Sequence, residues 1–174
     1  MPVRRLNHAV LYVRDVDASV AFYRDLLDFR TLSHVPKRAA FMLAPGSDND
    51  HDLGLFQIGE GAAPSDAGRS TVGLYHLGWE VDTLAELKRI RGVLLEVGAL
   101  VGESDHATTK ALYAKDPDGL EFEICWIVPG ELLTEDVLQN RVRTAPLDLE
   151  AEIARYGAGT LGGIAAPVPA GDSR

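Results

Sequence analysis

The sequence predicts an α+β protein made of two β-α-β-β-β modules. Three observations carry this. The order strand, helix, strand, strand, strand reads twice, over residues 5–59 and 72–128. A histidine, His8 then His76, holds the same place in the first strand of each module. Residues 110–127 read as a hairpin, with alternating runs either side of Asp116-Pro117-Asp118-Gly119. The expected division is a globular part at 1–128 (module one 5–59, module two 72–128) and a C-terminal helical extension and tail at 129–174.

In the first module, Leu6–Val13 reads as a strand, with His8 sharing a face with Leu6, Val10 and Tyr12. Asp17 is the expected N-cap of a helix over 18–27, with Val20, Tyr23 and Leu27 on one stripe. Phe29–Val35, Ala39–Ala44 and Asp52–Ile58 supply three more strands, and 59–71 is a polar linker rich in small residues.

The second module opens with a strand at Val72–Val81. Thr83 and Glu86 have capping-box spacing for a helix ending near Val97, with Gly98 as its stop. Strands follow at Leu100–Gly102, Lys110–Lys115 and Glu121–Ile127. In the turn, proline presets φ, aspartate can bond its own backbone, and glycine tolerates positive φ. Period-two alternation places Glu121, Glu123 and Cys125 on one face of the last strand and Phe122, Ile124 and Trp126 on the other, which is core. Parity puts Trp79 opposite His76, so Trp79 is core as well. Beyond 128, a helix is expected over 131–142 and a short one over 146–157 capped by Asp148. Residues 157–174 have little to bury and read as extended or mobile.

Composition bounds the chemistry. Of 174 residues, 46% are hydrophobic and 25% charged, which suits a soluble globular domain. A net charge of −9 argues against nucleic acid and anionic membrane surfaces as main partners. The single cysteine, Cys125, leaves no intrachain disulfide and no cysteine-based zinc site. With no signal-peptide core in the first ten residues and no run of membrane-span length, a cytoplasmic protein is expected.

The polar residues make these modules more than a scaffold. If the modules pack about a pseudo-twofold axis, His8, Gln57, His76 and Glu123 can converge in one cavity, with Gln57 at the first-module place matching Glu123. Two histidines at equivalent places and a carboxylate in the last strand fit a divalent-metal site. His106 and Tyr113, just before the turn, add a proton carrier and a hydrogen-bond donor. His34 and His51 read as surface or loop residues.

LNHAVLYVRDVDASVAFYRDLLDF and DPDGLEFEI resemble the opening and closing segments of the vicinal oxygen chelate superfamily, whose fold is paired βαβββ modules cupped around a divalent metal. Within it, SDHATTKALYAKDPDGLEFE is similar to the active-site segment of type I extradiol ring-cleavage dioxygenases. That resemblance implies Fe(II), with Mn(II) or another divalent metal as alternative, held by His8, His76 and Glu123. It implies His106 as acid–base residue and Tyr113 as hydrogen-bonding partner. It also implies a small aromatic diol and O2 as substrates, and a homodimer. Two imidazoles and one carboxylate on one face leave positions for both substrates. Other members of the superfamily leave alternatives open: glyoxalase I-like isomerase, thiol transferase, and metal-free antibiotic binding.

Overall fold

The computed structural model describes residues 2–3 and 5–163. The chain divides into two compact units, one running to Gly73 together with Asp116–Leu120, the other comprising Leu74–Lys115 and the chain from Glu121 onward. Each unit holds one four-stranded mixed sheet, so the protein is α+β, as expected.

The first unit contains β1 (Ala9–Val13), α1 (Val16–Leu27), β2 (Arg30–Val35), β3 (Ala39–Leu43) and β4 (Leu53–Gln57), in sheet order β1-β4-β3-β2. β1 and β4 run parallel, and the other pairs antiparallel. Leu11, Val13, Ala40, Met42, Leu53 and Leu55 alternate inward and bury with Val16, Val20, Tyr23 and Leu27 of α1. The cap of α1 is Asp15 rather than the expected Asp17: its carboxylate accepts from the amides of Asp17 and Ala18. Both positions carry aspartate; the helix starts at Val16 because Val16 is fully buried and must join the apolar stripe.

The second unit repeats the plan with β5 (His76–Glu80), α2 (Leu84–Glu96), β6 (Leu100–Asp105), β7 (Thr109–Lys115) and β8 (Glu121–Ile127), in order β5-β8-β7-β6. Leu84, Leu87, Ile90 and Leu94 of α2 are buried with Leu112, Ala114, Phe122, Ile124 and Trp126. Each such side chain contributes about 1.5–3 kcal/mol of burial. Thr83 caps α2 through the amide of Glu86. The Glu86 carboxylate turns to Arg89 instead of closing the box.

The β7–β8 turn has the expected chemistry. Asp116 Oδ1 accepts from the amides of Asp118 and Leu120, and Gly119 has φ +81°. Its residues count with the first unit: Tyr23 donates to Asp116 Oδ2 at 3.3 Å, and Arg14 pairs with Asp118 at 2.8 Å.

The extension differs from expectation in extent. The helix expected over 131–142 shrinks to α3 (Glu135–Gln139) behind a 3-10 turn at Gly130–Leu132, because only Val137 of α3 is buried. α4 (Leu149–Tyr156) is capped by Asp148 as expected. Residues 157–163 are tied to the second unit: Trp126 donates its indole N–H to Thr160 O, and Gly162 N donates to Asp82 O. The remainder of the expected tail lies outside the described residues.

Candidate active site

In the second unit the sheet face opposite α2 collects the polar residues. The register sets Gly78, Glu123, Tyr113 and Gly102 side by side across β5, β8, β7 and β6. His76 stands two residues before Gly78 on the same face. The two glycines put no side chain beside the row; Glu123 Oε2 lies 3.6 Å from where a Cβ on Gly78 would stand.

Glu123 Oε2 is 3.4 Å from His76 Nε2, and the two side chains are 17% and 25% exposed. His76 Nδ1 is buried with no hydrogen-bond partner among the described residues. If Nδ1 carries the ring proton, two lone pairs face each other across that 3.4 Å gap. If Nε2 carries it, Nδ1 is an unmet acceptor. In neither tautomer do the surrounding residues satisfy the ring. Ligands about 2.1 Å from a shared ion at near-right angles stand about 3 Å apart. The His76–Glu123 spacing therefore fits two ligands of one cation.

Tyr113 and His106 extend the row. Tyr113 Oη is 2.9 Å from His106 Nε2 and 3.4 Å from Glu123 Oε1. Burial first, then the Glu123 carboxylate, pushes the Tyr113 phenol up to about 12, so it remains a neutral donor. Burial, helped by Glu123 and Glu80, likewise pushes the Cys125 thiol up to about 12. Cys125 shares this face yet is no thiolate. His106 sits at the tip of the β6–β7 hairpin, where Ala107 takes φ +63° and Asp105 Oδ1 accepts from the Ala107 amide.

His8 lies in the first unit, exposed and just ahead of β1. Its Nδ1 is 2.8 Å from Asn7 Oδ1, which leaves Nε2 without a hydrogen-bond contact to Asn7. Among the described residues, no three His, Cys, Asp or Glu side chains form a group able to hold a metal. The structure thus brings His76, Glu123, Tyr113 and His106 together on one sheet and leaves His8 in the other unit.

Gln57 does not occupy the place expected of it. Register aligns Ala9 with Leu53, which makes Gly54 the counterpart of Glu123. Gln57 shares the helix-facing side with Leu53 and Leu55, and its Oε1 accepts from the Val16 amide at the start of α1. Counting residues from each histidine misplaced it, because the loop before β4 differs in length from the turn before β8. His34, at a strand edge, bonds Asp17 as a surface residue. His51 is a loop residue that stacks on His8 at 4.4 Å between ring centroids and meets Phe41 edge-on. Tyr75, against His76 at 4.6 Å, and Thr144, 3.3 Å from His106 Nδ1, carried no sequence signal.

Comparison with known proteins agrees with this plan. The family model of the glyoxalase/bleomycin resistance protein/dioxygenase superfamily matches residues 5–124. The chain belongs to that superfamily. Over 153 residues it is 28% identical to a catechol-2,3-dioxygenase of Bacillus subtilis, covering 87% of this chain and 52% of the relative. The chain thus spans about half the length of this relative. Among solved structures of the superfamily, a glyoxalase/dioxygenase from Nostoc punctiforme is 26% identical, with TM-score 0.58 over 70% of this chain and 90% of that one. A domain from Frankia sp. EAN1pec, described as glyoxylase/bleomycin resistance protein/dioxygenase, shares the fold at 23% identity and TM-score 0.59, covering 71% and 92%.

Proposed function

We propose that this protein is an extradiol-type ring-cleavage dioxygenase acting on a small aromatic diol. The observation that carries the reading is the contiguous row His106–Tyr113–Glu123–His76: a histidine–tyrosine pair 2.9 Å apart beside a glutamate–histidine pair 3.4 Å apart. Similarity to a catechol-2,3-dioxygenase supports it.

His76, Glu123 and His8 are the proposed ligands of Fe(II), with Mn(II) or another divalent ion as alternative. Such an ion, when bound, supplies the electronic path between diol and O2. The remaining work falls to the chain. A diol must lose a proton on binding, and His106 Nε2 is the base that takes it. Tyr113, neutral because burial holds its proton, donates to the oxygen that gains negative charge. His106 returns its proton as the ring opens, and all atoms of diol and O2 are retained in the product.

Gly54 weakens the isomerase alternative. Glyoxalase I-type sites use a carboxylate on the last strand of the first module, and this chain has no side chain there. A homodimer, frequent among relatives of this kind, is proposed as the working assembly.

The test is oxygen uptake by anaerobically reconstituted protein against a panel of small catechols. The expected result is Fe(II)-dependent uptake with a coloured ring-fission product. Bound metal without uptake on any diol would overturn the proposal.

A further inference from the structure

We propose that a recess at the end of β1 is a binding site for a small neutral carboxamide with an apolar body about one ring in size. The recess has a volume of about 170 Å³, and Tyr12, Arg14, Ile58, Pro64, Asp118 and Leu120 line it. All of these residues belong to the first unit, whereas His76, Glu123, Tyr113 and His106 belong to the second. The proposal is therefore independent of the dioxygenase reading.

The polar end of the recess is an ion pair with hydrogen-bonding capacity to spare. Arg14 donates its backbone N–H to Asp118 Oδ2 at 3.0 Å, Nη1 to Asp118 Oδ1 at 2.8 Å and Nε to Ala62 O at 2.8 Å. Nη2 has no partner among the described residues, and both of its hydrogens remain to be donated. Each Asp118 oxygen accepts one bond from Arg14 and has a lone pair left for a second. The pair is neutral as a whole, so it gives no net attraction to a free anion or cation. It offers a donor and an acceptor side by side. A carboxamide answers both: its carbonyl oxygen accepts from Arg14, and its amide N–H donates to Asp118. A carboxylate meets the Asp118 charge instead, and an ammonium meets the guanidinium.

The rest of the lining suits an apolar body. Tyr12 and Ile58 are 72% and 56% exposed, although both are large and apolar enough to favour burial. Tyr12 points away from the helix-facing side chains Leu11 and Val13, and Pro64 and Leu120 complete the wall. A cavity of about 150 Å³ with apolar walls takes up one benzene ring, and the recess is of that size. An apolar wall with a few placed polar groups is the usual composition of a small-molecule site.

The test is an amide and guanidinium N–H NMR titration of the full chain with benzamide, benzoate and benzylammonium in turn. Benzamide should shift the Arg14 Nε–H and the backbone amides of Ala63 and Ser65, saturating in the millimolar range. Benzoate and benzylammonium should each bind at least about tenfold more weakly, because each leaves one of the two polar groups unmet. Tyr12→Ala should weaken benzamide about fivefold with thermal unfolding unchanged, since the ring is exposed in the free protein. The proposal would be overturned by equal affinity for the three compounds, by benzamide binding that Tyr12→Ala leaves unaltered, by shifts confined to His76 and Glu123, or by no saturable shift at all.

Discussion

Glu123 and His76 face each other at 3.4 Å on neighbouring parallel strands, Oε2 to Nε2. The distance is long for a hydrogen bond and suited to two ligands of one ion. The other carboxylate oxygen, Oε1, is directed toward Tyr113. One side chain thereby joins His76 to the Tyr113–His106 pair.

If the His76–Glu123 pair holds the metal, Glu123→Ala removes a charged ligand. Metal content of the purified variant should fall at least tenfold below wild type, with circular dichroism unchanged. Elemental analysis checks this, and full metal occupancy in Glu123→Ala would remove Glu123 from the ligand set.

His106→Ala should separate chemistry from metal binding. His106 touches Tyr113 and not the His76–Glu123 pair. Metal content should stay at the wild-type level while turnover falls by about 10²–10⁴. Full activity in this variant would end the acid–base assignment.

Lys110 gives a stability prediction. Its ammonium is fully buried between Asp105 and Glu152, with the Tyr156 ring 5.8 Å away. Lys110→Met leaves two carboxylates without their cation and should cost about 3–5 kcal/mol in denaturant unfolding. A loss below about 1 kcal/mol would show that water already compensates the pair.

Asp116 gives a pH prediction. Burial raises its pKa above the ordinary 3.8, against the pull of the Leu120 and Asp118 amides. Between the unfolded and folded values the native state keeps a proton that the unfolded chain has lost. Stability from this group is full below about 3.8 and is lost as pH rises through the folded pKa. Relative to Asp116→Asn, the wild type should lose stability across that interval. Parallel pH profiles for the two proteins would contradict this.

Much of the fold could be read from the chain because its signals are local. Period two in Glu121–Ile127 is borne out by strict alternation of burial, and the turn at 116–119 bonds as its residue types require. The grouping of Tyr113 with Glu123 follows from the register of one short hairpin. What escaped depends on contacts distant in sequence. Asp15 and Asp17 are equally good caps in isolation, and tertiary burial of Val16 chooses between them. Gln57 was misplaced because residue counts do not fix register across loops of unequal length. Thr144 reaches His106 across 38 residues by a bridge that no periodicity announces.

The central claim is tested most directly by the stoichiometry of oxygen uptake on Fe(II)-reconstituted protein with the best catechol of a panel. The account predicts one O2 consumed per diol opened, abolished in Glu123→Ala and strongly reduced in His106→Ala. A reconstituted protein that binds metal at the His76–Glu123 pair yet consumes no O2 with any diol would contradict it.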